Sequence, residues 1–98
     1  MAKKTYQNTD GTSFHNVTFR ASVEQLTKSF GDPSMEYNTG EDKVNFEWEM
    51  ETEDGEVFTI YDWKEYRPLG KYEMIEWHIG AKSRYESEMA KLEVLNQL

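Results

Sequence analysis

Residues Val44–Gly80, VNFEWEMETEDGEVFTIYDWKEYRPLGKYEMIEWHIG, carry all three tryptophans of this 98-residue chain. Read as three antiparallel strands, they decide the fold. Asp54-Gly55 lies between two alternating runs and predicts a two-residue type I′ hairpin turn, which needs positive φ at both positions. That turn sets Met50 opposite Thr59, Trp48 opposite Tyr61 and Phe46 opposite Trp63. Side chains alternate along a strand, so the other face receives Glu47, Glu49, Phe58, Ile60, Asp62 and Lys64. One face is then aromatic and the other largely acidic.

Met74–Gly80 repeats the alternation, with Ile75, Trp77 and Ile79 pointing one way and Glu76 and His78 the other. Folding this run back about Gly70 sets Trp63 against Trp77, Asp62 against His78 and Lys64 against Glu76. A slip of two residues sets Asp62 against Glu76, two like charges, so cross-strand charge favours the first register.

Outward from this core, Phe14–Ala21 reads as a strand with Val17, Phe19 and Ala21 on one face. Ser22 and Gln25 form a capping box that opens a short helix, whose Val23, Leu26 and Phe30 make an apolar stripe stopped by Gly31-Asp32-Pro33. Residues 31–43 have no period and read as a loop, from which Met35 and Tyr37 can fold over the sheet edge. Ser83 and Glu86 make a second capping box, and the helix beyond it is predicted to turn Tyr85, Met89, Leu92 and Leu95 inward. Residues 1–13, with Asp10-Gly11, form a flexible tail or an edge hairpin. The order β-α-β-β-β-α predicts one α+β domain over residues 1–98, an antiparallel sheet with both helices packed on its aromatic face.

The formal net charge of −8 and pI of about 4.7 argue against a direct grip on nucleic acid through its phosphates. The absence of cysteine excludes thiolate chemistry and suits a reducing compartment, so a cytoplasmic protein is expected. No apolar run has the length of a membrane span, and Met1-Ala2-Lys3-Lys4 is followed by polar residues. The chain has no phosphate loop, calcium loop or nucleophile motif, so no enzyme activity, metal or cofactor is expected.

Two groups of residues can carry a function. Asp62, Lys64, Glu76 and His78, with Glu47 and Glu49 on the next strand, can hold a cation, orient a histidine base or bind a ligand; the same pattern also describes a solvated sheet face. In Tyr66–Tyr72, Arg67 and Lys71 can reach phosphate or carboxylate oxygens and the two tyrosines can stack on a planar ring, or the cations can simply neutralise nearby glutamates. Phe58 and Ile60, placed among the acids on the open face, are read as a protein-contact or dimer surface.

The blocks FGDPS, KVNFEWEMETEDG, TIYDWKEY and WHIGA, between Phe30 and Ala81, resemble a family of small proteins encoded by tailed bacteriophages. Members share a helix ending in FG-x-P, an acidic strand, a YDWK-type strand and a closing WHIGG. This chain has Ala81 in place of the second glycine, which puts the tight turn expected there in doubt. The resemblance implies an accessory protein made in the cytoplasm of an infected bacterium and maps Tyr61, Asp62, Trp63, Lys64, Trp77, His78 and Gly80 onto the shared motif.

Two functions follow. One is sequestration of a small nucleotide-like host molecule at a site built from Tyr61, Asp62, Lys64, Tyr66, Arg67, Lys71, Glu76 and His78, at the interface of a homo-oligomer. The other is blockade of a host protein by the acidic face, whose alternate glutamates lie roughly 6.6 Å apart, as in a row of nucleic-acid charge.

Overall fold

A computed structural model describes all residues, 1–98. Its elements are β1 (Lys3–Lys4), β2 (Ser13–Ala21), α1 (Val23–Phe30), β3 (Met35–Glu36), β4 (Phe46–Glu51), β5 (Val57–Tyr61), β6 (Ile75–Ala81) and α2 (Arg84–Gln97). The strands form one antiparallel sheet in the order β1-β4-β5-β6-β2, and β3 also pairs with β4. Both helices contribute side chains to a single core on one face of this sheet, which makes the molecule a two-layer α+β domain.

The hairpin register differs by one residue from the sequence expectation. Thr52 N–H donates to Glu56 O and Gly55 N–H to Thr52 O, each at 2.9 Å. The connection is therefore a three-residue loop, Glu53-Asp54-Gly55, with Gly55 at φ 86°. Trp48 pairs with Ile60 and Met50 with Phe58, and on the next strand Ile60 pairs with Ile79 and Tyr61 with His78. A one-residue shift exchanges the faces of a strand. Phe58 and Ile60 are accordingly core residues, 1% and 0% exposed, and not part of an open contact surface.

The core is centred on Trp48 and Trp77, packed edge to face with centroids 5.6 Å apart. Each indole N–H reaches a backbone carbonyl at the margin of the helix layer, Trp48 to Gly31 at 3.0 Å and Trp77 to Ala21 at 2.9 Å. Burying a tryptophan is favourable only when its N–H finds such an acceptor. Helix α1 has the full Ser22–Gln25 capping box and buries Leu26 and Phe30.

Helix α2 sits the other way round from the sequence expectation. Its buried residues are Ser87, Ala90 and Val94, while Tyr85, Met89, Leu92 and Leu95 face outward. This helix packs on β2 and β6, and small inward side chains let it approach these strands closely. The Ser87 hydroxyl donates to Ser83 O at 2.8 Å, which satisfies it inside the core. Ser83 caps Glu86 N–H, but Glu86 does not complete a capping box.

The first residues form neither a tail nor a hairpin. Lys3–Lys4 pair with the edge of β4, and the Gln97 amide brackets the Ala2 backbone at 2.7 and 3.0 Å. Ala81 ends strand β6 and is fully buried, so no tight turn falls there.

Candidate functional site

The sheet face away from the helices is open, and its register brings together residues that the sequence assigned to opposite sides. One row across the sheet runs Met35, Glu47, Tyr61, His78, Thr18. The neighbouring row runs Glu49, Thr59, Gly80, Phe14. A β-bulge in β2 between Phe14 and Thr18, with Asn16 at φ 63°, keeps both Phe14 and Thr18 on this face.

The result is a contiguous aromatic platform. Phe14 stacks on His78 with ring centroids 4.0 Å apart and planes at 12°. Tyr61 meets His78 edge-on at 5.5 Å and Trp63 at 6.1 Å, and Trp63 lies 6.3 Å from His78. Phe14 and Trp63 are each 39% exposed, so the rings at the two ends of the platform present surface to solvent. Gly80 keeps the platform low: a Cβ there would stand 2.7 Å from Thr59 Oγ1 and 3.4 Å from Tyr61 Cε1.

Charge is distributed unevenly around these rings. Lys43 and Lys64 place their ammonium groups 5.8 and 5.6 Å from the Trp63 ring centroid, within cation–π range. Glu47 lies beside Tyr61, on the side away from His78. Burial and the neighbouring Glu49 push the Glu47 carboxyl above its ordinary 4.5. Burial and Glu47 push the Tyr61 phenol above 10.0. Burial lowers the His78 imidazolium below 6.5, against an opposing pull from Glu76. A neutral imidazole, an un-ionised phenol and a carboxylate of raised basicity form a surface suited to a planar, hydrogen-bonding ring, and the lysines offer an anion a place at the Trp63 end.

Of the residues singled out in the sequence, Tyr61 and His78 meet at the centre of this platform. Glu76 follows on the same face, where its carboxylate accepts from the Thr18 hydroxyl at 3.4 Å. Lys64 reaches Trp63 from a backbone at φ 56°. Asp62 is not beside His78. It is fully buried, and its carboxylate accepts from the N–H groups of Asn45 and Phe46 at 2.8 Å and from the Asn45 amide at 2.9 Å.

The Asn45 amide also donates to Arg67 O, so Asp62 anchors the loop 62–74 to the start of β4. Asn38 bonds both backbone groups of Leu69, and a Cβ on Gly40 would lie 2.5 Å from Arg67 Cα. Within this clamped loop Arg67 is committed to Glu73 through a two-pronged ion pair, with Glu65 close by at 3.7 Å. Lys71 lies against Tyr72, and its carbonyl accepts from Glu24 N–H at 3.0 Å, the first turn of α1. Tyr66 is exposed. The Arg67 guanidinium thus belongs to the loop's own structure.

Phe14, Trp63 and Lys43 are platform residues that the sequence did not reveal. Trp63 was placed inside by the two-residue turn, and the alternation that turns Val17, Phe19 and Ala21 inward leaves Phe14 outward without revealing that it stacks on His78. No group of three or more His, Cys, Asp or Glu side chains is arranged to hold a metal ion, and no helix is long and apolar enough to cross a membrane. Comparison with known proteins finds no matching family model and no matching curated protein.

Proposed function

We propose that the chain is a non-enzymatic bacteriophage accessory protein, acting in the cytoplasm of the infected bacterium, that binds and sequesters a small nucleotide-like host molecule such as a defence signal. The supporting observation is the open-face platform of Phe14, His78, Tyr61 and Trp63 with two lysine ammonium groups at the Trp63 ring. A base stacks on the rings, its edge meets Glu47 and Tyr61, and a phosphate lies toward Lys43 and Lys64. The platform is an open surface, and a second copy closing over it supplies enclosure, so the ligand-bound form is a homo-oligomer. Titration calorimetry with a panel of mono-, di- and cyclic nucleotides tests this reading. Saturable heat that is lost in Lys43→Ala/Lys64→Ala supports it, and no heat with any member of the panel contradicts it.

The second reading is blockade of a basic groove on a host protein by the same face. Its support is the side-by-side placement of Glu47 and Glu49, close enough for one to raise the pKa of the other. Reversal of both to lysine abolishes such an inhibition. Retained inhibition in that variant excludes it.

A further inference from the structure

Helix α2 carries a second surface, on the opposite layer from the platform. With Ser87 and Val94 at position f of a heptad, Tyr85 and Leu92 fall at d and Met89 and Asn96 at a, while Glu86 and Glu93 take e and Glu88 and Leu95 take g. The positions that would form a helix–helix seam are therefore turned to solvent. Tyr85 is 73% exposed and Leu92 58%, and Met89 and Leu95 are also exposed. Their i, i+4, i+7 spacing is that of anchors for a docked helix.

Carboxylates wall this stripe. The cleft between α2 and the β4–β5 hairpin is lined by Thr52, Asp54, Glu56, Tyr85, Glu86, Met89 and Glu93. Within it, Glu86 Oε2 is shielded from solvent and accepts no hydrogen bond. A buried carboxylate oxygen without a donor is costly, and an arriving cation relieves the cost. Neighbouring acids are already engaged, Glu88 with Arg84 at 3.5 Å and Glu93 with Glu53 N–H at 3.0 Å.

The charges also select the occupant. An antiparallel pair of α2 helices sets e against e, which opposes Glu86 and Glu93 to their copies, and a parallel pair sets Glu88 at g against Glu93 at e. Both arrangements join like charges, so a second copy is the wrong partner. We propose that α2 is a docking surface for a cationic amphipathic helix of another protein, which lays apolar side chains on Tyr85, Met89 and Leu92 and sets a lysine or arginine against Glu86.

The probes are two fluorescein-labelled amphipathic peptides of about 18 residues with the same leucine stripe, one flanked by lysine and arginine and one by glutamate. Anisotropy with the full chain is expected to show saturable binding of the basic peptide, at least about tenfold tighter than the acidic one and weakened by salt. Met89→Glu/Leu92→Glu makes the protein more acidic, so indiscriminate attraction would grow in this variant, whereas docking on the stripe is lost. Glu86→Gln weakens the basic peptide without disturbing the fold. Binding of the basic peptide that survives Met89→Glu/Leu92→Glu overturns the proposal, as does the absence of saturable binding. Self-association in sedimentation that Leu92→Glu dissolves assigns the face to a second copy and overturns it equally.

Discussion

The carboxylate of Asp62 and the side-chain amide of Asn45 are both fully buried and bonded to each other at 2.9 Å. Three N–H donors converge on this carboxylate from Asn45 and Phe46, and no cation is among its partners. Asp62 is thus the fastener of two loops and stands outside the aromatic platform.

Asp62→Ala strands those donors in the interior and is expected to cost about 3 kcal/mol, read as a lower denaturation midpoint. Asp62→Asn retains the shape but replaces an acceptor oxygen by a donor, and it loses part of the same stability. A change below about 0.5 kcal/mol in both would contradict the latch.

Phe58→Ala empties a site 1% exposed and is expected to cost about 3–5 kcal/mol. The same substitution on an exposed interface would be close to neutral for folding. Urea denaturation separates these outcomes and with them the two hairpin registers.

His78 contributes a pH dependence whose sign follows from its lowered pKa. The unfolded chain takes up the proton near 6.5, before the folded chain does, so the contribution is complete above that pH and is lost as pH falls through the lowered folded value. Glu47 acts in the opposite sense: its raised pKa makes a contribution present below 4.5 that is lost as pH rises through the folded value. An NMR titration of His78 should give a midpoint below 6.5, and a midpoint at or above it contradicts the desolvated platform. Glu47→Gln should raise the melting temperature at neutral pH and leave it unchanged at acid pH.

The alternation of Phe46, Trp48 and Met50 and of Ile75, Trp77 and Ile79, together with the Ser22 cap, made the sheet, the first helix and the two-layer class legible in the sequence. The hairpin register was not legible, because Asp-Gly serves a two-residue turn and a three-residue loop equally well. The Thr52 hydroxyl, which accepts from Glu56 N–H at 3.2 Å, favours the longer loop. That single residue decided which side of the sheet received Tyr61, Trp63, Phe58 and Ile60. On α2 the strongest apolar stripe points outward and the small residues Ser87, Ala90 and Val94 pack inward on β2 and β6, a tertiary constraint that helical periodicity cannot register.

Trp63 belongs to an exposed aromatic platform, and the chain provides its own probe of it. Trp48 and Trp77 are 0% exposed and Trp63 is 39% exposed, so a stacked ring quenches Trp63 selectively. Tryptophan fluorescence should be recorded while the nucleotide panel is titrated into the wild type and Trp63→Phe. Saturable quenching by at least one nucleotide is expected in the wild type and not in the variant, whose stability changes by less than about 1 kcal/mol. No saturable quenching across the panel, or quenching that persists in Trp63→Phe, would contradict the proposed stacking.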